Sequence, residues 1–256
     1  MNRRFIDQYR FFIYLLSPLL LLGCWELSTR LGLLDGRFFP APSSIFHHLI
    51  FNSPDEGIFQ DIQASLSRVF WGYISGCTLG MAVGIAMGLN TYIRTAFFPL
   101  VAISYPIPKI AVLPLIMLIF GIGELSKIVV VAIGSFFLVL MNTLHGVESL
   151  AKIYHDVSSV YRIKPTSRIF RIIIPGALPA IFTGLRLAIG YSLVIVVAAE
   201  FSGADAGIGY LIWQSWETFS IKSMYAGIFV ISALGFLFAI GLDLLERWLV
   251  PWKTHK

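Results

Sequence analysis

Ionisable side chains are scarce in this chain, so those inside apolar runs are the first place to look for its chemistry. Lys109 stands in "PLVAISYPIPKIAVLP" among Pro99, Pro106, Pro108 and Pro114. Each interior proline removes a backbone hydrogen bond and clashes with the preceding turn, so the sequence predicts a break that protein rather than lipid must cover. A lysine at such depth is costly unless it faces water or a partner. It lines a pathway, neutralises carbonyls freed by the break, or snorkels to the membrane surface. Arg186 in "GLRLAIG" and Glu200 just before "GADAGIG" join Lys109, Pro106 and Pro108 as pathway candidates. For Arg186 the alternatives are snorkelling or pairing with loop carbonyls, and for the segment after Glu200 a simple turn. Lys109 and Arg186 together would favour an anion in such a pathway.

Catalytic and metal chemistry have no comparable footing. The sequence contains no HExxH, no GxSxG, no phosphate-binding loop and no histidine at catalytic spacing from Asp or Glu. His47 and His48 are adjacent, so on a helix they point in different directions, and no Cys, Asp or third His completes a metal site. Cys24 and Cys77 lie in separate apolar runs without CxxC spacing and read as small buried residues. The expectation is a protein that is not an enzyme, with no metal and no cofactor bound by the chain itself.

The elements that must carry these residues follow from composition. The 256 residues are 57% hydrophobic and 13% charged, with mean hydropathy +0.80, against about 25% charged in a soluble domain. This is an all-α integral membrane protein, since strands without closure cannot satisfy their backbone in lipid. Six apolar runs approach the roughly 20 residues that cross a bilayer, near 11–28, 68–89, 96–120, 126–144, 177–199 and 224–245. Arg3, Arg4, a short apolar core and "LLGC" resemble a signal peptide ending at a lipid-modified cysteine, but Leu22 is bulky and "WEL" continues like an anchor helix. Ser43 or Ser44 is the expected cap of a short helix carrying His47 and His48. In the second run Gly72, Gly76, Gly80, Gly84 and Gly88 recur every four residues, which predicts close approach of another helix, from this chain or a partner.

Charge sets the expected orientation. With the N-terminus inside, 12 Lys and Arg fall on cytoplasmic segments and 5 on the opposite side, where Arg68 and Lys127 count as loop charges. Both termini are then cytoplasmic. The net charge of +5 follows from this asymmetry and requires no nucleic acid.

The loop between the fourth and fifth runs, 148–176, concentrates basic residues in "YRIKPTSRIFRIIIPGALP". Ile153, Val157, Val160 and Tyr161 recur at helical spacing opposite Lys152, Asp156, Ser159 and Arg162, and Arg168 and Arg171 repeat the pattern. Two short amphipathic helices joined by a bend are expected, with Pro165 in the first turn of the second and Pro175 closing it. Such a hairpin lies on anionic lipid or fills a groove on a soluble partner.

"DVSSVYRIKPTSRIFRIIIPGALP" resembles the cytoplasmic loop of binding-protein-dependent ABC importer permeases, built on a Glu-Ala-Ala triplet, a glycine and a closing Ile-x-Leu-Pro. Val157, Ser158 and Ser159 are set on the triplet, Arg162 on the glycine, and Ile172, Ile174 and Pro175 on the close. "WELSTRLGLL", "FFPAPSSIF", "SLSRVFWGY", "PIPKIAVLPLIMLIFGIGE" and "AAEFSGADAGIGYLI" are similar to the branch serving nitrate, taurine, aliphatic sulfonates, bicarbonate and some vitamin precursors.

The resemblance implies a single multi-pass permease domain in a bacterial inner membrane, with coupling helices seated on cytoplasmic ABC ATPase subunits that bind the ATP and Mg. It implies a second permease subunit, identical or related, an external solute-binding protein, and a small anion as cargo. The alternative cargo is a vitamin or aromatic precursor of the thiamine-pyrimidine or riboflavin type; a stand-alone secondary transporter is the weaker alternative. Coupling contacts would come from Asp156, Val157, Ser158, Ser159, Val160, Tyr161, Arg162, Lys164, Arg168, Arg171 and Pro175. Arg162 in place of glycine alters the bend, and Val157 in place of Glu removes an ion pair to the ATPase.

Overall fold

The computed structural model describes residues 3–51, 57–160 and 164–252. Among them every regular element is helical. Four helices hold apolar stretches long enough to cross a bilayer: α3 (Ile58–Leu89), α6 (Glu124–Val160), α8 (Ile174–Glu200) and α10 (Ile221–Leu249). A fifth candidate is the bent pair formed by α4 (Thr91–Ser104) and the run Lys109–Phe120, which ends in α5 (Leu113–Phe120). The other helices are α1 (Arg3–Arg30), α2 (Pro42–Phe51), α7 (Pro165–Arg168) and α9 (Ile208–Glu217). α1 runs unbroken through the "LLGC" stretch, with Cys24 exposed rather than buried.

The chain forms two compact units, one of Met1–Phe59 with Leu211–Phe229, the other of Gln60–Tyr210 with Val230–Lys256. In the first, Glu26 of α1 accepts hydrogen bonds from the Ser43 amide (2.9 Å) and hydroxyl (2.8 Å) at the start of α2. Trp25 and Phe46 pack against Phe229, with ring centres 6.2 and 4.9 Å away, and His48 is hydrogen-bonded to Ser223 at 2.9 Å. His47 instead packs on Phe51, so the two histidines part as adjacent helical residues must.

The core of the second unit is α3 against α6 against α8. The glycine row of α3 faces α6: a Cβ on Gly72 or Gly88 would meet Val131 or Val147, and one on Gly76 would fall inside the backbone of Ala132. The neighbour anticipated from the row is therefore within this chain. Lipid offers no hydrophobic drive between helices, so contact at backbone range supplies the dispersion energy. α6 and α8 also meet through small residues, Gly146 on Ala180 and Gly184 on Asn142, with Ser135 and Ser192 hydrogen-bonded at 2.8 Å in the buried seam.

α3 and α4 are joined through one residue. Asn90 takes an extended backbone (φ −128°), and its side chain accepts the Tyr92 and Ile93 amides, capping α4. The predicted break appears after Ser104, where Pro106 and Pro108 withhold their donors and the chain restarts as a 3₁₀ turn at Lys109. The two arms meet at 89°.

The loop at 148–176 differs from expectation. α6 does not end near 144; it continues as one 37-residue helix to Val160. His145, Glu148 and Lys152 end the apolar run but are compatible with helix, and no proline intervenes before Pro165. Pro175 likewise fails to close a helix. A π turn over Ile169–Ile173 precedes it, with the Ile174 amide reaching back to the Ile169 carbonyl, and α8 follows directly. A proline ring collides with the carbonyl four residues earlier, here Arg171, and the wider turn gives it room.

Candidate functional site

Lys109, 5% exposed, lies at the elbow of the bent pair. Its ammonium donates to the carbonyls of Ser104 (2.6 Å) and Tyr105 (3.1 Å) at the end of α4, where the Ser104 carbonyl also accepts a turn bond from the Ile107 amide at 3.3 Å. A cation there also suits the negative end of the α4 dipole. The Nζ sits 4.1 Å from the centre of the Phe137 ring. Among the described residues no carboxylate pairs with it. Lys109, Tyr105, Phe137, Leu138, Leu187 and Tyr191 bound a cavity of about 380 Å³.

Glu200 joins a polar cluster that the apolar runs did not foreshadow. Arg68 of α3, 2% exposed, donates to both oxygens of Glu124 at 2.6 Å, to Glu200 at 2.7 Å and to the Ala206 carbonyl at 2.7 Å. Glu200 also accepts from the Ser65 hydroxyl (2.7 Å) and the Gly209 amide (2.7 Å). The Gly207 amide goes to Asp61 and the Ile208 amide to the Ser65 hydroxyl. The free amides at the start of α9 are thus met by α3 side chains and the end of α8. Gly207 holds φ +134° with the Glu200 carboxylate where a Cβ would stand, so only glycine fits. Lys127 closes the cluster, donating to the carbonyls of Ile122, Gly123 and Gly203.

Arg68 and Lys127, counted above as loop charges, are therefore helical and buried. What signal existed was three charges of mixed sign, Arg68, Glu124 and Glu200, each at the edge of a different apolar run. Glu200 is structural in this geometry: every oxygen has a donor, and its side chain is fully covered.

Arg186 is committed to α10. Its Nη2 lies 2.5 Å from both Asp243 and Glu246, so it meets carboxylates rather than loop carbonyls or the membrane surface. One guanidinium between two carboxylates leaves a local negative balance, which does not attract an anion.

In the 148–176 segment, Asp156, Val157, Ser158, Ser159 and Val160 form the last turns of α6. Tyr161 and Arg162 lie outside the described residues, and with them the expected bend. Lys164 and Arg171 are exposed; Arg168 is half-buried, with its Nε unpaired. The family spacing, three residues from triplet to glycine and nine from glycine to isoleucine, counted back from Pro175, sets the triplet on Asp156, Val157 and Ser158 rather than Val157, Ser158 and Ser159. A carboxylate, Asp156, then occupies the first position of the triplet.

Comparison with known proteins gives relatives over most of the chain. The taurine transport system permease protein TauC of Escherichia coli is 34% identical over 237 residues, covering 91% of this chain and 86% of that protein. The putative aliphatic sulfonates transport permease protein SsuC of Bacillus subtilis is 32% identical over 243 residues, covering 94% and 87%. Among solved structures, a chain of the MetNI methionine ABC transporter in an inward-facing form superposes with a TM-score of 0.68 at 18% identity, covering 75% of this chain and 95% of that one, a likeness of fold. With a match to the family profile over residues 76–253, this chain belongs to the binding-protein-dependent transport system inner membrane components.

Proposed function

We propose that the whole chain, 1–256, is the permease subunit of an ATP-driven importer, with six spans and both termini cytoplasmic, carrying a small anion of the sulfonate, nitrate or bicarbonate type. The observation that carries this reading is Lys109: a buried cation that pairs with no carboxylate among the described residues, at the elbow of a broken span, in a chain whose relatives include taurine and sulfonate permease proteins. Two copies, or this chain and a related one, enclose the pathway. An external binding protein delivers the anion.

ATP and Mg belong to separate ATPase subunits, which dock on the end of α6 and the segment after it. Asp156 to Val160 lie there with Lys164, Arg168 and Arg171, and Pro175 stands in the first turn of α8 beyond them. The exposed basic residues give orientation and electrostatic complementarity.

Purification of the tagged chain in mild detergent tests the assignment. A nucleotide-hydrolysing partner is expected to co-purify, and Arg168→Glu with Arg171→Glu is expected to release it while membrane insertion is kept. A monodisperse chain that moves solute alone would overturn the reading, as would normal ATPase association by the charge-reversed variant.

A further inference from the structure

The cavity at the elbow has a chemistry narrower than "anion". One wall is the Lys109 ammonium; the rest is the Phe137 ring, Leu138, Leu187 and the rings of Tyr105 and Tyr191. About 380 Å³ lies near the lower end of the roughly 300–1,000 Å³ typical of small-molecule sites. Two of the three ammonium protons are held by the Ser104 and Tyr105 carbonyls, which fixes the nitrogen. The third finds only the face of Phe137, a weaker acceptor than an ionised oxygen. Among the described residues the hydroxyls of Tyr105 and Tyr191 make no hydrogen bond, and both side chains are partly exposed.

A bare inorganic oxyanion would engage the ammonium and leave the aromatic and aliphatic walls facing nothing. An organic anion with a short apolar body uses both. Resting on the reading of Lys109 as a pathway residue, we infer that this cavity is a binding site for a small organic anion, a sulfonate or carboxylate whose charged head meets Lys109 and whose hydrocarbon body lies against Phe137, Leu138 and Leu187. The cargo is thereby placed among organic anions and apart from nitrate and bicarbonate.

The test uses the chain with its co-purified ATPase in lipid nanodiscs, with 1-butanesulfonate as the probe and saturation-transfer NMR as the readout; empty nanodiscs correct for partition into lipid. Saturation of the terminal methyl protons is expected, weakened about tenfold in apparent affinity by Lys109→Met, as loss of a charge-assisted contact implies. Lys109→Arg retains part of it. Leu187→Trp, at a half-exposed wall position that tolerates volume, is expected to abolish it by filling the cavity even where Lys109→Met fails to fold. An equal concentration of nitrate leaves the signal in place. Equal signals from wild type and Leu187→Trp, or displacement by equimolar nitrate, would overturn the inference. Failure of the ATPase to co-purify would instead remove the importer reading, because binding of the probe can be measured on the chain alone.

Discussion

Removing Arg68 puts the buried ion cluster to a quantitative test. In Arg68→Met the guanidinium disappears from four contacts of 2.6 to 2.7 Å. The two carboxylates it leaves behind are unequal: Glu124 is 62% exposed and re-hydrates, whereas Glu200 is 0% exposed. Glu200 keeps the Ser65 hydroxyl and the Gly209 amide but loses its counter-charge. An uncompensated buried charge of this kind costs about 3–5 kcal/mol. At about 2–4 °C per kcal/mol for a chain of this size, the unfolding midpoint should fall by about 6–20 °C. Glu124→Gln, at the wet side of the same guanidinium, should cost only about 0–1 kcal/mol. The double variant Arg68→Met with Glu200→Gln should recover most of the loss, because the neutral amide keeps an acceptor for the Ser65 hydroxyl and the Gly209 amide and no longer strands a charge. The assay is fluorescence-detected size exclusion of detergent-solubilised protein after a temperature series. Arg68→Met within 2 °C or so of wild type, or a double variant as damaged as the sum of its singles, would refute the buried-pair account.

Gly76→Ala places a methyl in the backbone of Ala132 and should destabilise the α3–α6 contact by about 1–3 kcal/mol, whereas Gly23→Ala, with open space around it, should be silent; the same thermal series separates them. Asn90→Ala removes the acceptor for two amides at the start of α4 and should cost about 0.5–2 kcal/mol. Asn90→Asp, which keeps the acceptor, should lie close to wild type in that assay.

Local rules made some features readable and left others out of reach. Four prolines in sixteen residues announce the elbow, because a missing donor acts within one turn. The glycine row announces close approach but not its partner, since spacing on one helix says nothing about which helix answers. For the cluster of Arg68, Glu124 and Glu200 the sequence offers three charges at run edges but not their meeting, because they are separated by 56 and 132 residues and come together only when three helices align. Reading the end of α6 from hydropathy confused where the chain ceases to be apolar with where it ceases to be helical. At Pro175 the error was a rule without its exception, the π turn that accommodates the ring. The register of the triplet, by contrast, follows from the sequence alone once it is counted back from Pro175.

The unbroken length of α6 has a mechanical consequence. At about 1.5 Å per residue its 37 residues make a rod of roughly 55 Å, while the hydrocarbon of a bilayer is only about 30 Å thick. One tip is Glu124, clasped by Arg68; the other is Val160, so the helix is longer than the hydrocarbon is thick. A force applied at Val160 would reach Glu124 along one continuous helix, whose middle is packed at backbone range on the glycine row of α3.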